Sequence, residues 1–294
     1  MELSKFIDKK PFVIAGPCSA ESEKQAMQIA NDIKDNTDVF RAGIWKPRTR
    51  SNSFEGIGKE ALTWMQKVKQ KTKLKVSTEV ATAKHVELCL EFGIDMLWIG
   101  ARTTVNPFYV QEIAEALSGV DIPVFVKNPI HPELSLWIGA LERLNKKGIK
   151  NLAAIHRGFF TYESSAFRNE PKWEIPIELK RQLTNLPIIC DPSHIAGNKN
   201  LIPEISQIAM DLDMNGLMIE THNNPSEALS DSNQQITPIK LTSILDNLVL
   251  RKKKFENEIL RFELNTLREK IDKIDENIVK KLNLRTELVE EIAK

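Results

Sequence analysis

The chain has 294 residues, of which 41 are Lys or Arg and 40 are Asp or Glu, so its formal net charge is +1. A balance this close to neutrality excludes a global field that would direct the protein to nucleic acid or to an anionic membrane. No apolar run approaches the roughly 20 residues needed to span a bilayer. The three cysteines are widely spaced and the start, MELSKFIDKK, lacks the pattern of a signal peptide. We therefore expect a soluble, cytoplasmic protein without a membrane partner.

Short apolar runs along the chain predict β-strands. In chain order they read FVIAG, VFRAGI, KVSTEV, MLWIGA, VFVKN, NLAAIHRG, PIICDPSH and GLMIETH, beginning at residues 12, 39, 75, 96, 124, 151, 187 and 216. Between them, segments such as SEKQAMQIANDIKD and LSLWIGALERLNKKG have apolar residues at three- and four-residue spacing, which predicts helices. This alternation is the pattern of an α/β fold, a (β/α)8 TIM barrel. A doubly wound sheet shares the pattern, because hydrophobic periodicity does not reveal closure.

Charged side chains follow these strands where a barrel would place its site. Reading the strand ends in chain order gives Cys18, Arg41, Lys46, Glu79, Arg102, Lys127, His156, Arg157, His194, Glu220 and His222. Several cations at one rim repel each other unless anions lie between them. Taken singly, each Arg or Lys is better explained as a solvated loop residue or as a partner in a surface ion pair. Taken together, three arginines and two lysines predict a site for an anionic ligand with up to two phosphate groups.

A second set of side chains has the chemistry of metal ligands. One sulfur, one nitrogen and two carboxylate oxygens, the mixture that a divalent transition metal accepts, come from four distant residues: Cys18, His194, Glu220 and Asp231. Their spacing is not the local pattern of a structural zinc site. The competing interpretation is that Cys18 packs as a small apolar residue, His194 bonds to the backbone and the acids face water. The residues alone leave both interpretations open.

Six short motifs lie in order along the predicted barrel: AGPCS at 15, KPRTRSNSFEG at 46, GAR at 100, HRGF at 156, DPSHIAG at 191 and IETH at 219. Together they resemble the 3-deoxy-D-arabino-heptulosonate 7-phosphate (DAHP) synthase family across residues 11 to about 250. The variant that the chain most resembles is the compact type I-beta barrel, a barrel shared with 3-deoxy-octulosonate 8-phosphate synthases. Those relatives have Lys-Ala-Asn-Arg where this chain has Lys46-Pro47-Arg48-Thr49, which favours D-erythrose 4-phosphate over arabinose 5-phosphate.

The resemblance implies an enzyme that condenses phosphoenolpyruvate with D-erythrose 4-phosphate and water to give DAHP and phosphate, the first step of the shikimate pathway. It implies a divalent metal ion (Mn, Fe, Co or Zn) with the ligands Cys18, His194, Glu220 and Asp231. It implies that phosphoenolpyruvate is held by Arg41, Arg102, Lys127 and Arg157. Erythrose 4-phosphate is then held by Lys46, Arg48 and Thr49, with Lys46 also the proton donor and Cys18 and His194 catalytic. The alternatives are condensation with arabinose 5-phosphate, or a noncatalytic barrel that binds a partner.

The C-terminal segment differs from the rest of the chain. Residues 252 to 294 contain no Gly or Pro, and apolar residues recur at helical spacing. We expect a barrel over residues 1–250 and one long helix within 251–294, which resembles the first helix of the all-helical chorismate mutases at Arg268 and Arg285. Because that resemblance covers only the opening third of a mutase, mutase activity is not expected. The pattern alone favours a packing or dimerising helix, and we expect a homo-oligomer, either a dimer or a tetramer.

Overall fold

The computed structural model describes residues 7, 10–46, 54–163, 165–251 and 258–292, with the side chains of the last segment from residue 264. Within these residues, eight parallel strands pair in chain order and close into a barrel. The strands are β1 (Phe12–Gly16), β2 (Val39–Arg41), β3 (Lys75–Val80), β4 (Met96–Ile99), β5 (Val124–Lys127), β6 (Leu152–His156), β7 (Ile188–Cys190) and β8 (Gly216–Glu220). Each lies within a predicted strand, and the pairing of β8 with β1 confirms the barrel.

Helices connect the strands and surround them. They are α1 (Glu23–Ile33), α2 (Glu60–Thr72), α3 (Ala83–Glu91), α4 (Ala101–Thr104), α5 (Pro107–Ala116), α6 (Leu134–Lys146), α7 (Glu174–Gln182), α8 (Pro192–Ala196), α9 (Ile202–Asp211) and α10 (Pro238–Asn247). A further helix, α11 (Glu258–Ile292), belongs to the C-terminal segment. Their starts follow local chemistry, since Ser22, Thr82 and Asn106 accept hydrogen bonds from backbone amides of the first turns of α1, α3 and α5. These caps fix where each helix leaves its loop.

The residues inside the barrel alternate with residues that face the helices. The inner cluster contains Phe12, Ile14, Val39, Met96, Trp98, Phe125, Ala153, Ile155, Ile189 and Met218. Successive strand residues point to opposite faces, so the next inward position lies two residues further on. On five strands that position is charged: Arg41, Lys127, Arg157, Asp191 and Glu220. The periodicity that fills the barrel with apolar side chains therefore also directs charges to the carboxyl ends of the strands.

The chain divides into two compact units, Met1–Leu250 and Arg251–Lys294. Helix α11 makes up most of the second unit, in agreement with the helix expected there. Its residues Leu267, Ile271, Ile274 and Ile278 recur every three or four positions, which places them along one side of the helix. Among the described helices, none is long and apolar enough to cross a membrane.

Barrel closure depends on a glycine that admits a neighbouring strand. Gly216 begins β8 opposite Phe12, and a Cβ added there would lie 2.1 Å from the Phe12 carbonyl oxygen. We expect Gly216→Ala to lower the free energy of unfolding by about 1–3 kcal/mol, as overpacking does.

The control is Gly139, in α6, which has no atom within 4 Å of an added Cβ. Gly139→Ala should instead raise stability by up to about 1 kcal/mol. Urea unfolding measures both changes, and a shared sign would contradict this account of closure.

Candidate active site

Cys18 lies just beyond β1, and the loop residues around it keep its thiol inside the barrel mouth. Its backbone N–H donates to Gln235 Oε1 at 2.9 Å, while Lys46 Nζ and Asp231 Oδ2 lie 3.0 and 3.2 Å from its Sγ. The side chain is fully buried. Burial, and next the Glu220 carboxylate, raise the pKa of the Cys18 thiol to about 12, although Lys46 lowers it. The thiol therefore keeps its proton near neutral pH unless a cation displaces it.

Three of the four predicted ligands converge on one point. Ligand atoms of Cys18, Glu220 and Asp231 all lie within 4.8 Å of one another. The fourth, His194, approaches the group through Nε2, which is 3.8 Å from Glu220 Oε1. The other ring nitrogen lies 2.8 Å from Asp191 Oδ2, the carboxylate contact that commonly orients a metal-binding histidine. Burial lowers the pKa of His194 and so favours the neutral ring. The donor set fits a divalent metal.

Glu220 ends β8 and is bonded on both carboxylate oxygens. Arg41 donates to Oε1 at 2.7 Å and Gln234 donates to Oε2 at 2.6 Å, while the backbone N–H of Glu220 donates to Ser193 Oγ. Burial opposes ionisation, but His194 and Arg41 hold the pKa of Glu220 at about 2. The side chain is thus a fully buried carboxylate. It is ionised at any pH at which the protein would bind a metal.

Asp231 comes from the loop after β8 rather than from a strand. Its backbone is left-handed, with φ 49° and ψ 38°, a conformation that is disfavoured for a residue with a side chain. Arg168 donates to its Oδ1 at 2.9 Å and also to Gln234 at 2.6 Å. Burial raises the pKa of Asp231, but Arg168 and other cations hold it well below its usual range. Backbone strain of this kind is concentrated at functional sites.

Lys46 reaches Cys18 across a glycine. A Cβ added to Gly43 would lie 2.8 Å from the Lys46 amine and 2.7 Å from the Cys18 carbonyl oxygen. The same glycine joins the loop to the segment beyond β1, since its N–H donates to Cys18 O and its carbonyl accepts from Ala20 N. The amine is therefore held beside the donor cluster. Arg48 and Thr49, which are predicted to bind the same substrate as Lys46, lie outside the described residues.

The wall formed by β4 to β7 carries positive charge. Lys127, buried at the end of β5, forms a 2.8 Å ion pair with the buried Asp191. Two cations lie over the ring of Trp98 in β4, whose centroid is 4.9 Å from the Arg41 guanidinium and 6.0 Å from the Lys127 amine. Its indole N–H donates to Glu79 Oε2 at 3.1 Å. The indole face thus stabilises two cations that the barrel interior removes from water.

Arg157 stands at the centre of a group of arginines. Asn169 accepts from its guanidinium at 2.9 Å, and Asn128 Oδ1 accepts from its backbone N–H at 2.7 Å. Burial lowers the pKa of Arg157 to about 10, and repulsion from Arg168 and Arg102 adds to this shift, whereas Asp191 opposes it. Arg168 and Arg102 thus repel the charge of Arg157, and an anion bound beside Arg157 would stabilise that charge.

One predicted rim residue lies elsewhere than expected. His156 faces away from the barrel interior, because Ile155 occupies the inward position of β6, and its ring packs near Trp137, Phe159 and Trp173. Burial lowers its pKa to about 3, so it is a neutral core residue. His222 is also buried, with Nε2 3.8 Å from Glu21 Oε2. Cys89 and Cys190 are also buried, as free cysteines.

Three residues of the site were not singled out by the sequence: Asp191, Arg168 and Gln234. Asp191 bonds to Lys127 and contacts His194, and it lies two positions beyond the inward Ile189. The two-residue period of β7 was therefore a signal for it. The other two come from loops and meet at Asp231 and Glu220 only in the folded chain. No local pattern in the sequence marks them.

Proteins of known activity are similar to most of the chain. A phospho-2-dehydro-3-deoxyheptonate aldolase from Thermotoga maritima is 28% identical over 225 residues, 76% of this chain and 64% of that protein. The chain thus spans less than two thirds of that relative. A 2-dehydro-3-deoxyphosphooctonate aldolase from Vesicomyosocius okutanii subsp. Calyptogena okutanii is 26% identical over 81% of this chain and 89% of its own. A crystal structure of the Thermotoga maritima enzyme, described as DAHP synthase, matches with TM-score 0.72 and 27% identity over 80% of this chain and 67% of that one.

The family model described as the DAHP synthetase I family matches residues 4–255. This range includes the whole barrel from β1 to β8, helix α10, and the loops that carry Cys18, His194 and Asp231. Sequence and architecture therefore agree over the part of the chain that holds the charged barrel mouth, and the chain belongs to the DAHP synthetase I family.

Proposed function

We propose that the chain condenses phosphoenolpyruvate with D-erythrose 4-phosphate and water to give DAHP and phosphate, the first step of the shikimate pathway. One observation carries the proposal: a buried cluster of metal-type donors, a lysine amine and a group of cations share one barrel mouth. Two phosphorylated substrates and an aldehyde need these three kinds of group together. Family membership and the name of the Thermotoga maritima relative support the same reaction.

The choice of aldehyde rests on the segment after β2. The sequence Lys46-Pro47-Arg48-Thr49 resembles the DAHP-forming branch, whereas the Vesicomyosocius okutanii relative carries the name of a phosphooctonate aldolase. Condensation with arabinose 5-phosphate is therefore the second candidate function. We place erythrose 4-phosphate first because of this segment and because the Thermotoga maritima relative carries the heptonate name.

For the metal site we propose four ligands: Cys18, His194, Glu220 and Asp231. The short distances among the first, third and fourth, and the contact that orients His194 through Asp191, support this set. When bound, a divalent ion such as Mn, Fe, Co or Zn supplies Lewis acidity toward the aldehyde oxygen. The thiol contributes to affinity once it loses its proton, since a thiolate is the form that binds metals.

The phosphoenolpyruvate site is proposed on the cationic wall, with Arg102, Lys127 and Arg157 facing the phosphate and carboxylate groups. Arg41 belongs at its edge. One of its terminal nitrogens donates a hydrogen bond to Glu220. Its buried Nε has no hydrogen-bond partner among the described residues, so it is available to donate to a ligand. Erythrose 4-phosphate is then assigned to Lys46, Arg48 and Thr49.

In the proposed reaction, C3 of phosphoenolpyruvate bonds to the aldehyde carbon, and the aldehyde oxygen takes a proton from the Lys46 ammonium. Water adds at C2, and the resulting hemiketal phosphate loses inorganic phosphate. The buried cations stabilise the phosphoenolpyruvate anion in the orientation that presents C3. Loss of phosphate completes the balance of the step and makes it effectively irreversible.

For the remaining features we propose the following assignments. Residues 1–250 are the catalytic domain, and residues 251–294 contain a helix like the first helix of a chorismate mutase, as the division of the chain into two compact units supports. The reducing-compartment pattern of the cysteines supports a cytoplasmic location. The helical spacing in α11 supports a homo-oligomer, a dimer or a tetramer.

The assay of this function is phosphate release with both substrates present. We expect release with phosphoenolpyruvate plus erythrose 4-phosphate, loss of release with a chelator, and recovery when a divalent metal is restored. Arabinose 5-phosphate should give much slower release. A metal-loaded chain that releases no phosphate with either aldehyde would identify a noncatalytic barrel, and preference for arabinose 5-phosphate would identify the second candidate.

Metal affinity should depend on pH through one proton. The Cys18 thiol, with its pKa raised to about 12, binds a proton that the metal must displace, whereas Glu220 is already ionised and His194 already neutral. Between about pH 6.5 and 8 the affinity for Co²⁺ should rise by about tenfold per pH unit. Calorimetric titration at several pH values measures this slope.

The variant Cys18→Ser should bind Co²⁺ far more weakly and lose the thiolate-to-metal absorption band. The control is Cys89→Ala, because Cys89 is buried in α3 and plays no part in the donor cluster. Wild-type affinity in Cys18→Ser would contradict the ligand assignment.

Lys46→Ala should lower kcat by about 100-fold or more, because a positioned proton donor contributes on that scale. The measurement is steady-state phosphate release, with metal affinity determined in parallel to confirm that the donor cluster is intact. Lys24→Ala removes an exposed charge of α1 that takes no part in the donor cluster, and it should leave kcat unchanged. A Lys46→Ala enzyme altered only in KM would restrict Lys46 to substrate binding.

A further inference from the structure

A pair of stacked rings lies beside Lys46 and has no part in the roles assigned so far. The indole of Trp45 and the imidazole of His85 are 3.9 Å apart at their centroids, with 4° between their planes. Trp45 belongs to the segment after β2, and His85 to the first turn of α3, after β3. The contact therefore ties the segment that carries Lys46 to the next strand–helix unit of the barrel.

His85 is held in place by hydrogen bonds that do not involve Trp45. Its backbone N–H donates to Thr82 Oγ1 at 3.2 Å, and its Nδ1 accepts from Ala81 N at 3.3 Å. Accepting at Nδ1 requires the neutral ring. Burial lowers the pKa of His85, with Glu79 opposing, and so favours this neutral form. The imidazole thus presents a fixed flat face rather than a mobile side chain.

The stack lies between two backbone hydrogen bonds of the Lys46 segment. Gly58 N donates to Ile44 O at 3.2 Å, and Lys46 N donates to Glu55 O at 2.8 Å. Residues 44 and 46 are thus each tied to the far end of the same loop. Trp45, between them, supplies the side chain that attaches this loop base to α3.

The same rings line a cavity that includes the Lys46 side chain. The cavity has a volume of about 200 Å³, and its lining residues are Trp45, Lys46, Glu55, Glu79, Ala81 and His85. Three of the phosphoenolpyruvate cations proposed above, Arg102, Lys127 and Arg157, come instead from β4 to β6 and the loops that follow them, whereas Arg41 ends β2. A shift of the stacked rings would therefore displace the Lys46 amine, and a ligand beside it, before it displaced the other cations.

We propose that His85 is a positioning residue, which fixes the backbone at Lys46 by stacking on Trp45 and thereby holds the Lys46 amine beside Cys18 for transfer of a proton to the aldehyde oxygen. This inference rests on the proposed function. A long lysine side chain samples many rotamers, and its amine is placed only as well as the backbone that carries it. Side chains of this kind act correctly only when surrounding residues lock them.

The kinetic test compares His85→Ala with His85→Phe, which keeps a stacking ring but no acceptor for Ala81 N. We expect His85→Ala to lower kcat by about tenfold and to raise KM for the aldehyde, since a misplacement of about 1 Å costs up to about 100-fold. KM for phosphoenolpyruvate should stay unchanged. His85→Phe should restore most of the kcat. Lys84→Ala, an exposed neighbour on α3, is the matched control.

A second measurement needs no turnover. In the metal-free chain, labelling of Lys46 by an amine-reactive reagent, followed by mass spectrometry, reports whether the amine remains packed against Cys18. We expect labelling to be several-fold faster in His85→Ala than in wild type, His85→Phe or Lys84→Ala. Unfolding midpoints of all the variants show whether the fold is retained.

The outcomes separate this inference from the proposed function. A wild-type chain without phosphate release refutes the function, and the labelling rates then still decide whether His85 holds Lys46. Wild-type labelling in His85→Ala overturns the inference, as do unchanged kcat and KM values in an active enzyme. Equal damage in His85→Ala and His85→Phe also overturns it, because the hydrogen bond at Nδ1 and not the stack would then be responsible.

Discussion

Two ion pairs buried at the barrel mouth, Arg41 with Glu220 and Lys127 with Asp191, determine where the other groups of the site lie. Removing four charges from water costs several kcal/mol for each ion, and good geometry only offsets this cost. The pairs are therefore weak evidence of added stability. Their consequence is positional: each charge ends or directly follows a barrel strand, and the remaining hydrogen bonds to Gln234 and His194 are aligned on these fixed carboxylates.

The two pairs also divide the mouth by charge. Around Glu220 lie the thiol and the second carboxylate, a set that attracts a cation, whereas around Lys127 lie the guanidinium groups that attract an anion. Trp98 lies under both regions and contacts a cation of each pair. A bound metal and a bound phosphate would thus each relieve the repulsion within its own region and would attract one another across the gap. The charges of the chain without ligands therefore already favour the binding of a metal and of a phosphate.

The sequence predicted the barrel and the family, and both are confirmed, because these depend on periodicity and on motifs that persist along the chain. It predicted Arg41, Lys127 and Glu220 at the mouth for the same reason. His156 was misplaced because proximity to a strand end does not specify a face, whereas the two-residue period does. Arg168, Gln234 and the Trp45–His85 stack depend on loops that meet only after folding. The roles assigned to all of these side chains remain predictions.

The groups proposed to act on the two substrates differ in how rigidly the fold holds them. Lys127 ends a strand, and Arg157 directly follows one, so their positions are set by the hydrogen-bonded barrel. Lys46 belongs to a loop. Its position depends on the absence of a Cβ at Gly43 and on the stack of Trp45 and His85. Strand-borne groups are positioned more accurately than loop-borne groups. The side proposed to hold the aldehyde is therefore the part of the site that sequence change alters most easily, without disturbing the cations proposed to bind phosphoenolpyruvate. This separation fits the names of the relatives, of which one is a heptonate aldolase and another an octonate aldolase.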